Sequence, residues 1–159
     1  MELMKISNSG LSLIKRYEGC KLAAYKDSVG IPTIGVGHIK GVKMGMKITQ
    51  AQADKFLAED LAAVEKCLNN LGVISKQNQF DALASWIFNL GVGNFNSSTM
   101  KKYIVAKCSD IDITDQMVKW CNAGGKPLLG LKKRRSEEAN MFLGRDVYYV
   151  DSLGNIKKK

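Results

Sequence analysis

The hydrophobic pattern of the 159-residue chain changes period twice. Leu11, Ile14 and Glu18 recur at i, i+3 and i+7 with Tyr17 beside them, which predicts a helix over about 9–19. Ser7, Asn8 and Ser9 offer N-caps and Gly19 a stop. The period then shortens to two. Leu22–Lys26 reads as a strand, Asp27-Ser28-Val29-Gly30 as a turn and Thr33–Gly37 as the returning strand, whose alternate glycines would bare one face. Val42–Lys47 reads as a third strand of a small antiparallel sheet.

From Thr49 onward the period is helical. Thr49 and Gln52 have capping-box spacing, and Phe56, Leu57, Leu61, Val64 and Leu68 form a stripe long enough to link two lobes. Leu71-Gly72 ends it. Ser75 offers a cap to the next helix, where Phe80, Leu83, Ala84, Ile87, Phe88 and Leu90 leave little polar face, so this helix should centre the second core. Residues 91–99 read as a loop. Further helices are predicted near 98–107, 113–121 and 130–142, with a break at 122–127 and a stop at Gly144. Arg134 and Arg135 fall on the last of these. Tyr148-Tyr149 and a terminal lysine run mark a tail whose last residues are expected to be mobile. The class is α+β. One domain over 1–159 is expected, with a sheet lobe at about 17–48, a linking helix at about 50–70, a helical lobe at about 75–145, a tail at 146–159 and a cleft between the lobes. The helix at 9–19 should dock on the helical lobe.

Composition narrows the class. Apolar residues make up 45% and charged residues 25%, as in a globule with a core. No apolar run approaches the roughly 20 residues of a membrane span. The opening MELMKISNSG has no apolar stretch of a secretory signal, so synthesis and folding in a cytosol are expected. The net charge of +9 predicts attraction to a polyanion: nucleic acid, an anionic membrane or a bacterial wall. Cys20, Cys67, Cys108 and Cys121 form no C-x-x-C pair, and His38 is the only histidine, so no usual zinc set exists and no metal or cofactor is expected. The thiols are expected to be reduced, two or three of them in the core. Cys20, two residues from Glu18, leaves a redox effect on activity conceivable.

The stretch Tyr17–His38 concentrates the chemistry. Glycoside hydrolysis needs one protonated and one ionised carboxyl group. Glu18, at the end of an apolar helix face, suits the acid, because burial disfavours its charge. Asp27, in a polar turn among backbone donors, suits the ionised partner, and Thr33 across the hairpin could hold a water with it.

The order Glu18-x8-Asp27-x5-Thr33, in E-G…Y-K-D-x-x-G-x-x-T-I-G-x-G-H, resembles the signature of the phage-type lysozymes, or endolysins, of glycoside hydrolase family 24. The likeness continues through Asn89–Thr99, Ala123-Gly-Gly-Lys126, Gly130-Leu131 and Arg134-Arg135, and so covers all but about the last dozen residues. It implies a lysozyme-like fold and a muramidase cutting the β-1,4 bond between N-acetylmuramic acid and N-acetylglucosamine in peptidoglycan. Inversion is implied, with Glu18 as general acid, Asp27 and Thr33 activating water, and carboxyls about 6.5–9.5 Å apart. The resemblance places Ile39, Phe88, Asn89 and Ser98 against substrate. Asn89 stands where relatives can carry Gln, which changes its reach. Phe88 is equally readable as a core residue. A structural His38–Asp60 ion pair is implied. Arg134 or Arg135 would reach Glu18 or lie on a solvated basic face; both readings stay open.

Three rivals remain. A lytic transglycosylase needs the acid but no water-positioning aspartate, and leaves an anhydro sugar. A wall-binding module would lack catalysis, although all three catalytic residue types are present. A nucleic-acid binder is disfavoured because no such motif occurs and the basic residues are dispersed. The expected partner is peptidoglycan, with no nucleic acid and no stable membrane insertion. A monomer is expected, acting on the wall in the periplasm after synthesis in a host cytoplasm, with a separate holin-type pore as the exit.

Overall fold

The computed structural model describes residues 2–159. Helix α1 (Asn8–Glu18) begins at Ser7, but the Ser7 hydroxyl donates to Asp81 instead of capping α1. Gly19, at φ 67°, ends α1 just past Glu18. Strands β1 (Lys21–Lys26) and β2 (Pro32–Gly35) pair antiparallel, with Tyr25 opposite Thr33. The alternate glycines do not extend β2. Gly35 and Gly37 take φ of 62° and 64°, and reciprocal 2.9 Å hydrogen bonds between Ile34 and His38 reverse the chain. The expected third strand is reduced to a bridge between Ala23 and Lys47. With three glycines at 37, 41 and 45, all at positive φ, the segment turns too often to run as a strand.

Helix α2 (Gln50–Asn69) starts at a complete capping box between Thr49 and Gln52. One end of it packs against β2 and its buried stripe also meets α3, so it spans both halves of the molecule. Helix α3 (Gln77–Leu90) is the centre of the larger core, with Phe80 to Ile87 continuously buried. Its N-cap is Lys76, not Ser75; the Gln77 amide ties the helix start to the Lys5 carbonyl at 2.8 Å.

The stretch expected to be a loop holds α4 (Val92–Ser97). Its glycines and asparagines signal a turn, but Phe95 is wholly buried and Asn94 donates to the Leu90 carbonyl at 2.7 Å, so tertiary packing overrides local propensity. Helices α5 (Thr99–Val105) and α6 (Asp110–Met117) follow, capped by Ser98 and Ser109. The Ser109 cap starts α6 three residues before the expected position. The break is a small hairpin of β3 (Asn122–Ala123) and β4 (Lys126–Pro127). Helix α7 (Leu129–Leu143) packs along α3 and ends at the left-handed Gly144. The last residues, expected to be mobile, are paired instead: β5 (Tyr148–Val150) and β6 (Ile156–Lys158) form a hairpin, and Tyr148 is anchored to Asp115 at 2.6 Å. Among the described residues, no helix is long and apolar enough to cross a membrane. The four cysteines are unpaired: Cys121 is buried, Cys67 and Cys108 are half-buried with Cys67 packed against the larger core, and Cys20 is exposed.

Candidate active site

Three elements converge on a cleft of about 650 Å³. Glu18 enters from the end of α1, Asp27 and Thr33 from the β1–β2 hairpin, and Phe88 and Asn89 from the end of α3. Asp27 opens the hairpin turn. Its Oδ1 accepts the backbone N–H groups of Val29 at 3.0 Å and Ile31 at 2.8 Å. Two donors on one oxygen fix the carboxylate and leave Oδ2 without a protein partner among the described residues. Thr33 is buried, and its hydroxyl donates to the Ile31 carbonyl at 2.9 Å. With that proton committed, the oxygen can only accept from a further group. Tyr25, paired with Thr33, projects on the same side. Burial, then the charges of Glu18 and Asp27, hold its phenol above the ordinary value, as expected of a ring set among both carboxylates.

Glu18 is 18% exposed, and its Oε2 accepts Arg134 Nη1 at 2.6 Å. Arg134 is 3% exposed. It also reaches Glu138 Oε2 at 3.2 Å and the Ser85 carbonyl at 3.2 Å. Tyr17 supports it from α1, with the guanidinium carbon 5.6 Å from the ring centre. The second cation, Arg135, is wholly buried: Nη2 donates to Asn89 Oδ1 at 2.6 Å, and Nε lies 2.7 Å from Glu138 Oε1, outside hydrogen-bond angle. Burial pulls the Arg135 guanidinium below its ordinary value, and Glu138 opposes that. The Arg134-Arg135 pair therefore forms a buried network, not a solvated basic face. On the other side of the acid, Gly37 comes so close that a Cβ there would lie 2.7 Å from Glu18 Oε1. The Glu18 carboxylate is held between α7 and the hairpin.

A family model described as phage lysozyme matches residues 15–138, a span containing every one of these groups. The chain belongs to the phage lysozyme family. It is 45% identical over 145 residues to the endolysin of Acyrthosiphon pisum secondary endosymbiont phage 1, covering 87% of this chain and 98% of that one. It is 42% identical to the endolysin of Salmonella phage P22, over 89% and 99% of the two chains. The solved endolysin from Escherichia coli O157:H7 phage FAHEc1 superposes with a TM-score of 0.76 at 40% identity, over 89% of this chain and 95% of that one. The protein is accordingly a glycoside hydrolase of the lysozyme type with an α+β lysozyme-like fold.

The lysozyme cleft does not receive every residue that the sequence pointed to. Ile39 is exposed on its rim, and Phe88 is half-buried, lining the cleft while packing against both cores. Ser98 is turned away from it. Its hydroxyl donates to the Phe95 carbonyl at 2.7 Å and accepts the Lys101 N–H at 3.1 Å, as the cap of α5. His38 Nδ1 lies 2.8 Å from Asp60 Oδ2, and the ring stacks on Phe56 at 4.2 Å. This contact ties the hairpin to α2 and leaves His38 in the cleft wall. Sequence reasoning missed Tyr25 and Glu138. The pairing of Tyr25 with Thr33 across the predicted hairpin was the available signal for the first. Glu138 had one too, its i+4 spacing from Arg134.

Proposed function

We propose that this chain is an endolysin that hydrolyses the β-1,4 bond between N-acetylmuramic acid and N-acetylglucosamine in peptidoglycan, with inversion at the anomeric carbon. The observation that carries this reading is the division of labour in the cleft. One carboxyl, Glu18, is sheltered and gripped on one oxygen, while the other, Asp27, is fixed by backbone donors with an oxygen to spare. Glu18 delivers its proton to the leaving glycosidic oxygen. A water donates one proton to Asp27 Oδ2 and the other to Thr33 Oγ1, which leaves its lone pair directed at the anomeric carbon. As that carbon is attacked, Asp27 takes the water's proton and Glu18 is left ionised beside Arg134, whose guanidinium stabilises the new charge. Ile39, Phe88 and Asn89 bind the glycan along the cleft.

The enzyme, made in a host cytoplasm and released through a separate pore, meets the wall from the periplasmic side as a monomer. Its net charge of +9 speeds encounter with the anionic wall. The deciding experiment is the product from purified peptidoglycan. NMR during early turnover is expected to show the α-anomer of the new reducing end. A β-anomer would refute inversion, and an anhydro end, lighter by one water, would establish a lytic transglycosylase. Glu18→Gln is expected to lower kcat by about 10²–10⁴-fold with the fold intact.

A further inference from the structure

We propose that Arg135 is a positioning residue for glycan binding: it locks the Asn89 carboxamide with its NH2 group towards the cleft, so that Asn89 offers the sugar a donor and no acceptor. The inference rests on the muramidase reading above for the identity of the ligand. Its structural basis is the donor inventory of the pair. A guanidinium carries only donors, so the atom of Asn89 that meets Arg135 Nη2 at 2.6 Å has to be the carboxamide oxygen. The opposite flip would set donor against donor.

Arg135 cannot follow Asn89 if the amide rotates. It is wholly buried in the middle of α7, and Glu138, also wholly buried, holds it through contacts of 2.7 Å at Nε and 3.4 Å at Nη2. Glu138 is in turn shared with Arg134, which grips Glu18. Asn89 Nδ2 makes no hydrogen bond to protein among the described residues, and Asn89 lines the cleft. The NH2 group is therefore free to donate to a sugar hydroxyl or acetamido oxygen. An asparagine without this anchor would present either face and lose rotational freedom only on binding; Arg135 removes that cost in advance. One buried carboxylate thus sets both the catalytic acid and a sugar contact, from a single turn of α7.

The test compares N89D, N89A, R135K and the N89A/R135K double variant on purified peptidoglycan. N89D keeps and strengthens the partner of Arg135 but replaces the donor with an acceptor. It is expected to raise KM about 3- to 10-fold, the loss of one hydrogen bond, without lowering Tm. R135K is expected to raise KM by a similar factor in the native background and to add little in the N89A background, since it acts through that side chain. An N89D enzyme with wild-type KM overturns the proposal, and so does an R135K effect that is equally large in the N89A background. If R135K does not fold, the N89D comparison alone decides. A readout independent of turnover is the Asn89 Nδ2H2 NMR signal, which should shift when soluble N-acetylglucosamine oligomers are added; an unmoved signal under saturating oligomer overturns the assignment. Wild-type turnover separates the two readings, because its absence would remove the muramidase reading while the oligomer titration still tests the amide.

Discussion

Replacing Gly37 with alanine puts a methyl carbon 2.7 Å from Glu18 Oε1 and 3.0 Å from its Cδ. Carbon–oxygen contacts that short do not persist, so something has to move. A free carboxylate would swing aside at little cost, but this one is tied to Arg134 at 2.6 Å, and Arg134 is itself buried against Glu138 and Ser85. Either the acid leaves Arg134 or the hairpin recoils, and both displace Glu18 relative to Asp27. A displacement near 1 Å costs on the order of 10²-fold in rate. The backbone adds a separate penalty: at φ 64°, alanine costs about 1–2 kcal/mol more than glycine. In a domain of this size that lowers Tm by roughly 2–8 °C. Gly45 supplies the control. It has φ 95°, but a Cβ there would meet nothing within 4 Å. Gly45→Ala should therefore lose stability of the same order and keep its activity. Lysis of permeabilised cells followed by turbidity, alongside thermal melts, measures both effects. If Gly37→Ala lyses cells at close to the wild-type rate while remaining folded, Glu18 is not confined as described and the catalytic geometry is wrong.

Other perturbations test separate parts of the molecule. Trp86→Ala removes a wholly buried ring that meets Trp120 and Phe95 edge-on and donates to the Met117 carbonyl at 3.1 Å; denaturant melts should show a loss of about 3–5 kcal/mol. Thr49→Ala breaks the capping box of α2 and should cost about 0.5–2 kcal/mol by the same measurement. Asp115 gives a pH test. Burial raises its carboxyl, but hydrogen bonds from Tyr148 and Lys158 outweigh burial and hold it below the ordinary value. A depressed folded value means a contribution that is complete above the unfolded value and lost as pH falls through the folded one. Wild type should therefore lose stability relative to Asp115→Asn below about pH 4, and parallel melting curves on the acid side would contradict this. Raising ionic strength should cut the lytic rate mainly through KM if the net charge steers encounter; a salt-independent rate would remove that role.

The sequence alone determined the elements whose signals are local. The α2 capping box, the hairpin turn at Asp27 and the stop at Gly144 each depend on residues within a few positions of one another, and the structure has them where the chain spells them. The order of Glu18, Asp27 and Thr33 pointed to one candidate site for the same reason, since all three lie within one short helix-to-hairpin stretch, and the structure gathers them at one cleft. Tertiary structure decided what depends on distant partners. Local composition makes 91–99 a loop, but burying Phe95 folds part of it into a helix. The resemblance set Ser98 against substrate, but its hydroxyl is spent on the Phe95 carbonyl and the Lys101 N–H as the cap of α5, outside the residues that line the cleft. The two arginines of α7 could equally have faced water. Glu138, one turn along, together with Ser85 and Asn89 from the facing helix, turns them inward, where burying two cations is tolerable only beside a buried carboxylate and good acceptors. Periodicity records which side of a helix is apolar, but it does not record which charged side chains will find partners there.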